Sequence, residues 1–327
     1  MLPTGAHLLL IRLSALGDIL FSLEALASLK EERPDIKIDF LVEDRFAELL
    51  KGHPHIDTLL VYPRRNKLAI PRSLLRLLRR RYDAILDLHG NLKSAMHVAF
   101  ARSRHKLGFA APRAREGAQR FYSQAVELPR QGSHRAEHGL YLLRALGLEG
   151  VPSRPVLPIF DEPTGEADGA IILHPGTSAW ASFKRWPARN FAELAQRLMA
   201  RNLRVAISYG PGEEHLADQI QTAAPGSKKI DGARIGLAQL PSVYARCRLL
   251  VGADTGPLHI AAATGTPVVA LFGPKDPASY APRGEHHRII FADVPCRPCT
   301  RRRCPSPQCV LGLSVDEVER TVLDALS

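Results

Sequence analysis

The sequence lacks several features that would mark a membrane-spanning, secreted or base-stacking protein. No apolar run approaches the roughly 20 residues of a membrane span, and no basic residue precedes the first apolar run as a secretory signal would require. The chain contains 5 cysteines, which favours free thiols or a metal site over a disulfide framework. Aromatic residues form 6% of the chain, so few side chains can stack on bases. We therefore expect a cytoplasmic protein.

The charge of the chain, in contrast, is strongly positive: the formal net charge is +11 and is carried mainly by arginine. Guanidinium groups pair in bidentate fashion with phosphate or carboxylate, so an anionic partner is expected. A phosphorylated ligand, a nucleic acid and an anionic membrane surface would each fit. With 327 residues, of which 45% are hydrophobic, the chain is long enough for two globular domains.

Short apolar runs alternate with helical patterns along the chain, which predicts an α/β protein with parallel sheets. The first strand, 7–12, is followed by a turn with a single glycine. Without the G-x-G-x-x-G turn of a dinucleotide site, a redox cofactor is disfavoured. The basic stretch 102–120 has little periodicity and is interpreted as a loop, either a solvated face or a ligand contact. A proline-rich change of composition over 151–169 predicts a linker between domains 1–160 and 161–327.

The stretch 248–274 is the strongest local signal, with strands at 249–251 and 268–272 around a short helix. Pro257 suits the first turn of that helix, Asp254 or Thr255 can cap it, and Gly265 can end it. Such a helix begins at the carboxyl end of a strand, where its free N–H groups favour a phosphate. Asp254 would then accept hydrogen bonds from neutral hydroxyls, which indicates a nucleotide-sugar. The alternative is that Asp254 and Thr255 only cap a structural helix.

A second turn suited to phosphate follows the first strand of the C-terminal half. Its sequence over 174–178 is His-Pro-Gly-Thr-Ser, and its small residues allow backbone N–H groups to approach a phosphate. Lys184 is close enough in sequence to place a charge on the same group. Two such turns in one half of the chain strengthen the prediction of a nucleotide-sugar site.

Four of the cysteines follow a C-x2-C-x4-C-x4-C spacing: Cys296, Cys299, Cys304 and Cys309. This spacing can hold one zinc or iron ion, and free thiols are the alternative. Because the segment 296–309 follows the last predicted strands, a structural clip is favoured over a catalytic centre. The final residues, 314–327, predict an amphipathic helix with a capping serine.

Three separated motifs together resemble the lipopolysaccharide heptosyltransferases, glycosyltransferase family 9. They are R-L-S-A-L-G-D at 12–18, H-P-G-T-S with K-R-W-P at 174–178 and 184–187, and D-T-G-P-L-H at 254–259. They occur in the order of the family, and the segments 87–94 and 108–109 fit as well. The resemblance implies a GT-B fold, in which two Rossmann-like doubly wound domains face a cleft. The first domain would bind the acceptor and the second the nucleotide-sugar.

The resemblance also implies the catalytic and donor-binding residues. Asp18 would be the general base of an inverting transfer, with a pKa lowered by its helix N-terminus; the alternative is that it caps this helix. Lys184 would neutralise the departing diphosphate, so that no metal or other cofactor would be required for catalysis. His259 would lie near the donor, or alternatively be a packing residue. The donor contacts implied are Thr177, Ser178, Lys184, Asp254, Thr255, Gly256, His259 and, at the ribose, either Glu213 or Glu214.

The acceptor side resembles the type I branch of the family. Arg64, Arg65 and Lys67 match a basic loop that grips acceptor phosphate and carboxylate groups, and Arg115 and His134 match a later acceptor-side segment. These matches imply transfer of L-glycero-D-manno-heptose from ADP-heptose to the Kdo residue of lipid A. The enzyme would work at the cytoplasmic face of the inner membrane, in peripheral contact with anionic lipid. The four-cysteine segment is more similar to other branches, and the oligomeric state stays open.

Two other functions stay open. The nearer one keeps the family and changes the acceptor, as in heptosyltransferase II or a transfer onto a later core sugar. The more distant one is a basic nucleic-acid-binding protein whose cysteines form a zinc knuckle with Arg301, Arg302 and Arg303. That function would explain the charge, but not the duplicated α/β halves with two phosphate turns.

Overall fold

The structure is a computed structural model that describes residues 2–129, 132–160, 165–301 and 303–327. The chain forms two compact units, with the boundary between Pro158 and Ile159. Residues 161–164 of the predicted linker and Arg302 of the alternative zinc knuckle lie outside the described residues. Within the described residues, no helix combines the length and the apolar character that crossing a bilayer demands.

The first unit is built around a parallel sheet with six strands in the described residues, in the order β3-β2-β1-β4-β5-β6. These strands are β1 (His7–Ile11), β2 (Lys37–Glu43), β3 (Thr58–Tyr62), β4 (Ala84–Asp87), β5 (His105–Phe109) and β6 (Gln124–Val126). The helices of the unit are α1 (Leu16–Glu32), α2 (Ala47–Leu50), α3 (Ile70–Leu78), α4 (Leu92–Phe100) and α5 (His138–Ala145), with 3₁₀ helices at Lys67–Ala69, Ala118–Phe121 and Arg135–Glu137.

The strand β1 lies at the centre of this sheet because its sequence suits burial on both faces. Leu8, Leu9, Leu10 and Ile11 are fully buried, as expected of a strand between two parallel neighbours. Close packing of α1 against α5 depends on Gly139, since an added Cβ would lie 2.5 Å from the Cβ of Ala25. The same helix α1 also contacts the 3₁₀ turn Arg135–Glu137. The turn Arg135–Glu137 and α5 come late in the sequence of the unit, and these contacts bring them beside α1, which comes early.

The stretch 102–120 is predicted to be a loop, and this prediction is wrong for residues 105–109 and 118–120. It contains β5, which pairs in parallel with β4 so that Leu107 lies opposite Leu86. The strand begins with an exposed residue and a half-buried one and includes Gly108, so its sequence has no clear alternation. A glycine is needed there, because an added Cβ would lie 2.3 Å from the ring of Tyr122. The hydroxyl of Tyr122 donates to Asp87 at 2.7 Å, so this close approach supports the end of β4.

The second unit repeats the plan, with six strands in its described part in the order β12-β11-β10-β7-β8-β9. They are β7 (Ile171–His174), β8 (Val205–Tyr209), β9 (Lys228–Asp231), β10 (Leu249–Ala253), β11 (Val268–Phe272) and β12 (Arg288–Phe291). The helices are α6 (Ala188–Ala200), α7 (Glu214–Ala223), α8 (Gly232–Ile235), α9 (Leu240–Ala245), α10 (Gly256–Thr264), α11 (Pro277–Tyr280), α12 (Gln308–Leu311) and α13 (Val315–Leu326), with a 3₁₀ helix at Ala179–Lys184.

Trp186 anchors the loop that carries Lys184 to the core of the second unit. Its side chain is 1% exposed and packs edge-to-face on Phe191, with ring centroids 4.9 Å apart. The indole N–H donates to the carbonyl oxygen of Leu313 at 2.9 Å. The next residue, Ser314, caps α13 by accepting from the N–H of Glu317. The C-terminal helix therefore stabilises the loop before α6.

Candidate functional site

The carboxyl ends of parallel strands place several charged side chains at one edge of the first sheet. Arg12 follows β1, Glu43 ends β2 and Asp87 ends β4. These strands are neighbours in the sheet, and this edge is where open α/β sheets bind ligands. Asp18 lies in the first turn of α1, shortly after β1.

Asp18 is held by arginines and does not cap its helix. The N-cap residue of α1 is Ala15, so the capping alternative for Asp18 is wrong. Its Oδ2 lies 2.7 Å from Nη2 of Arg12, and its Oδ1 lies 3.8 Å from Nη2 of Arg135. Burial alone would raise the pKa of Asp18, but the charges of Arg12 and Arg135, with smaller contributions from Arg113 and His89, together outweigh burial and lower it. Asp18 is therefore an ionised carboxylate whose side chain is 29% exposed.

The sequence analysis gave no role to Arg12, although it lies in the first of the family motifs. The residue is 5% exposed, and Nη1 donates to the carbonyl oxygen of Leu88. This bond ties the guanidinium to the end of β4 while its other nitrogen holds Asp18. A cation at the end of a buried strand is costly unless it is paired. The position of Arg12 directly after an apolar strand therefore indicates, from the sequence alone, that it pairs with an anionic group.

Glu43 organises the basic loop that was predicted to contact the acceptor. Its carboxylate is fully buried and lies 2.8 Å from Nε of Arg45 and 3.2 Å from Nη1 of Arg64. Nζ of Lys93 lies 3.3 Å from the same carboxylate. Arg65 is tied separately, because its backbone N–H donates to Asp44 at 2.9 Å. The buried carboxylate of Glu43 thus pairs with three cationic side chains at the edge of the sheet.

We expect Glu43→Gln to lower the free energy of unfolding by about 2 kcal/mol, because it leaves these cations without their shared counter-charge. The value lies below the range for fully buried pairs, since the side chains of Arg45, Arg64 and Lys93 are 39%, 50% and 35% exposed. Urea unfolding of the whole chain measures the change. Glu48→Gln, at an exposed carboxylate of α2, is the matched control, and an equally small effect of both variants would contradict the role of Glu43.

The other predicted acceptor residues lie in different environments. Lys67 and Arg115 are exposed. His134 is buried, and its Nδ1 accepts from the N–H of Ala136 at 3.2 Å. Its ring also packs edge-on against Phe21, with centroids 5.5 Å apart. His134 therefore supports the turn that carries Arg135, a role that its position in the sequence did not predict.

In the second unit, Asp254 is paired with a lysine and a histidine at the start of α10. Oδ2 lies 3.4 Å from Nζ of Lys184, and Oδ1 lies 3.0 Å from Nε2 of His259. Burial would raise the pKa of Asp254, but His259 and Lys184 outweigh it and lower the pKa. The N-cap residue is Thr255, whose hydroxyl donates to the carbonyl oxygen of Ala253 and does not cap the helix. Of the two predicted caps, Thr255 occupies the N-cap position without a capping bond from its side chain, and Asp254 does not occupy it. The N-terminus of α10 at Gly256 can therefore face an anion.

The loop 174–178 is stabilised by contacts of Thr177 and by Arg185, to which the sequence analysis gave no role. The hydroxyl of Thr177 donates to the carbonyl oxygen of Ala181 at 3.1 Å and accepts from Nε of Arg185 at 3.1 Å. Thr177 can therefore serve a phosphate only through its backbone, while Ser178 is exposed. An added Cβ at Gly176 would lie 2.0 Å from Oε2 of Glu213, so the glycine makes room for that carboxylate.

The contact with Gly176 distinguishes Glu213 from Glu214, the two alternatives for binding the ribose. Glu213 packs against the loop and accepts from the N–H of Gly210 at 2.9 Å. Its Oε1 also lies 3.9 Å from Nη2 of Arg185. Glu214 begins α7 and is exposed. The structure therefore brings Glu213 to the candidate donor site and leaves Glu214 outside the loop contacts.

The cysteine segment does not form the predicted metal site. In the described part of the chain, no group of three or more His, Cys, Asp or Glu side chains is placed to hold a metal ion. Cys309 is buried in the hydrophobic core of the second unit, whereas Cys296 is exposed. Burial, with Cys296 and Cys304 nearby, raises the pKa of Cys309 and favours its neutral thiol. In the described residues, the prediction of a shared metal at Cys296, Cys299, Cys304 and Cys309 is corrected accordingly.

Similarity to known proteins identifies the family of the chain. The model of glycosyltransferase family 9 (heptosyltransferase) matches residues 71–310. The chain belongs to this family. It is 31% identical to lipopolysaccharide heptosyltransferase 1 of Pseudomonas aeruginosa over 91% of this chain and 87% of the relative. It is also 27% identical to lipopolysaccharide heptosyltransferase 3 of Escherichia coli over 81% of this chain and 83% of the relative. The predicted family and enzyme class, a glycosyltransferase, are confirmed.

The fold prediction is confirmed by a solved structure. The E. coli heptosyltransferase WaaC with ADP-2-deoxy-2-fluoro heptose is similar to this chain, with a TM-score of 0.80 and 23% identity over 97% of this chain and 99% of that structure. At this level of identity the likeness concerns the fold. The α/β class with two doubly wound parallel sheets, the GT-B type implied by the sequence motifs, is therefore correct.

Proposed function

We propose that the protein transfers L-glycero-D-manno-heptose from ADP-heptose to the Kdo residue of lipid A, with inversion at the anomeric carbon. The observation that carries the reaction type is the ionised Asp18, which two arginines hold at the ligand-binding edge of the first sheet. The choice of substrates is supported by the similarity to a type 1 heptosyltransferase over most of the chain. The first unit then binds the acceptor and the second unit binds the donor.

In this reaction, an acceptor hydroxyl forms the new bond to the anomeric carbon while the bond from that carbon to ADP breaks. Asp18 takes the hydroxyl proton as general base. Its lowered pKa makes it a weak base, so the proton moves late, when the new bond is largely formed. Asp254 accepts hydrogen bonds from the heptose hydroxyls, and Glu213 accepts from the ribose.

Lys184 and the N-terminus of α10 compensate the negative charge of the leaving diphosphate. Thr255 and Gly256 contribute backbone N–H groups at that helix start, and Ser178 contributes a hydroxyl from the neighbouring loop. His259 fixes one oxygen of Asp254 and so orients the other oxygen toward the donor. We propose that these groups replace the metal that other transferases use at a departing diphosphate, so that no cofactor is required for catalysis.

We also propose peripheral contact with the anionic cytoplasmic face of the inner membrane. Support comes from an exposed stripe next to the basic loop. Leu68 is 93% exposed and Leu75 on α3 is 56% exposed, and Arg72 and Arg76 lie on the same stripe at helical spacing. Exposed leucines among arginines suit the interface of an anionic bilayer.

The similarity to a type 3 heptosyltransferase supports a second candidate, transfer onto a later sugar of the lipopolysaccharide core. The acceptor residues described above do not distinguish the two cases. The donor is the same in both candidates. The difference lies in the sugar that offers its hydroxyl to Asp18.

An ADP-release assay with purified protein tests the proposal. We expect turnover with ADP-heptose and Kdo-bearing lipid A, and none with UDP- or GDP-sugars in the same reaction. Turnover only with an already heptosylated acceptor would support the second candidate. Failure to bind ADP-heptose at all would overturn both, because it would remove the donor on which each depends.

A further inference from the structure

A pocket in the first unit lies directly beside Asp18 and is lined by basic side chains. Its interior has a volume of about 20 Å³, and Arg12, Arg113, Arg135 and His138 lie in its wall together with Asp18. Arg113 is fixed over the ring of Phe109, with its guanidinium carbon 5.0 Å from the ring centroid. The pocket lies at the edge of the sheet where the proposed acceptor binds.

The charges around this pocket do not balance. Asp18 is the sole carboxylate among the described residues of its wall, against the guanidinium groups of Arg12, Arg113 and Arg135. Burial, and then the charges of Arg135 and Arg12, lower the pKa of Arg113 to about 9. The pKa of His138 is lowered to about 3 by burial and by the same arginines, so this ring is neutral. Like charges held this close are stabilised by a bound anion.

Several buried nitrogens of the same pocket residues have no hydrogen-bond partner in the described part of the chain. They are Nε of Arg12, Nε of Arg113 and Nδ1 of His138. Buried polar atoms are nearly always paired in folded proteins, and a buried charged donor without a partner is especially costly. Two arginine N–H donors without an acceptor in the described residues, Nε of Arg12 and Nε of Arg113, therefore occur in a wall that holds more guanidinium groups than carboxylates.

We infer that this pocket binds a carboxylate group of the acceptor sugar, next to the hydroxyl that Asp18 deprotonates. The inference rests on the proposed function and names the acceptor chemistry that this site selects. A planar carboxylate matches the fork of a guanidinium in bidentate fashion. Arg113 and Arg135 supply the main contacts, since Arg12 is already engaged with Asp18 and Leu88.

The pocket also links acceptor selection to catalysis. Asp18 is a weak base because Arg12 and Arg135 favour its ionised form. A carboxylate bound to Arg135 offsets part of that positive charge, so the pKa of Asp18 rises when the correct acceptor is present. An acceptor without the negative charge would therefore bind more weakly and also react more slowly once bound.

Kinetics with two acceptors test the inference: a Kdo glycoside with a free carboxylate, and its methyl ester. We expect the wild type to lose about 10–100-fold in kcat/KM on the ester, with a lower kcat as well as a higher KM. Arg113→Gln and Arg135→Gln should cause a similar loss on the acid and less than about threefold loss on the ester, because the ester has no charge to lose. Equal losses on both acceptors would assign the arginines a structural role and overturn the inference.

Arg120→Gln is the matched control, since Arg120 is exposed on the nearby 3₁₀ helix and is outside the pocket. It should leave both acceptors unaffected. Arg113→Lys keeps the positive charge but lacks the two parallel N–H donors of a guanidinium. It should therefore be more active than Arg113→Gln on the acceptor with a free carboxylate. A wild type that uses acid and ester equally well would overturn the inference while leaving the proposed transfer intact.

Binding measured without the donor separates the inference from the proposed function. Isothermal titration with Kdo, its methyl ester and inorganic phosphate needs no turnover. Binding of Kdo that Arg135→Gln weakens, together with weaker binding of the ester to the wild type, supports the pocket even if no transfer is seen. Phosphate that binds as tightly as Kdo and competes with it would overturn the choice of a carboxylate.

Discussion

Asp18→Asn should slow heptose transfer by about 10²–10⁴-fold, the usual contribution of a general base, while leaving the affinity for ADP-heptose nearly unchanged. The amide keeps the size of the carboxylate but cannot accept a proton from the acceptor. Donor binding should survive because Asp18 belongs to the first unit, whereas Lys184 and Asp254 belong to the second. Single-turnover kinetics and titration with ADP-heptose measure the two effects separately.

Glu31→Gln is the control for this variant, because it removes a charge from the exposed end of the same helix. It should leave the transfer rate within about twofold, as expected for a surface change away from the site. Since Asp18→Asn also leaves Arg12 without its counter-charge, the melting temperature of each variant is compared with the wild type. Loss of ADP-heptose binding in a folded Asp18→Asn variant would remove the assignment of Asp18 to the acceptor side.

The pH dependence of transfer gives the same assignment a second test. The pKa of Asp18 is lowered, so the base is ionised at neutral pH and activity should fall only below the ordinary range of a carboxyl group, near pH 4. His89 and His138 are kept neutral above about pH 3 by burial and nearby arginines. A loss of activity with a midpoint near pH 6 would therefore indicate a different base.

The strands buried on both faces could be predicted from the sequence alone. The observed β1 (His7–Ile11) and β11 (Val268–Phe272) fall where continuous apolar runs predict them. The strands β5 and β12 were not predicted, and both are partly exposed. Arg288 begins β12, and Phe291 at its end is 49% exposed. Strands with exposed ends have a mixed sequence, so their burial is decided by neighbours that a linear pattern does not show.

Only those residues of the candidate sites that belong to local sequence motifs could be predicted. Asp254 and Lys184 were singled out from turns next to strands, and the structure places them 3.4 Å apart. The pocket beside Asp18 was missed because Arg12, Arg113 and Arg135 come from three separate segments. Those segments meet only through sheet order and close helix packing. Isolated arginines in a basic chain are indistinguishable from a solvated surface until that packing is known.

Lys184→Ala should weaken ADP binding by about 10–100-fold, the range for a hydrogen bond to a charged group, and slow transfer as well. The lysine is 11% exposed and lies 3.4 Å from Asp254. Its removal takes one positive charge from the diphosphate and leaves the negative charge of Asp254 near it. Both effects weaken the binding of ADP and of ADP-heptose. Lys229→Ala, at an exposed ion pair with Asp218, should leave ADP binding unchanged.

A double-mutant cycle on ADP separates these two effects. If the repulsion by Asp254 contributes, Asp254→Asn in the Lys184→Ala background should recover part of the lost ADP affinity, because it removes the uncompensated carboxylate. ADP is the ligand to use, since it carries no heptose and the proposed contacts of Asp254 with sugar hydroxyls do not enter. A double variant that binds ADP no better than Lys184→Ala would show that Lys184 acts on the diphosphate alone. Unchanged ADP affinity in Lys184→Ala itself would exclude the lysine from the donor site.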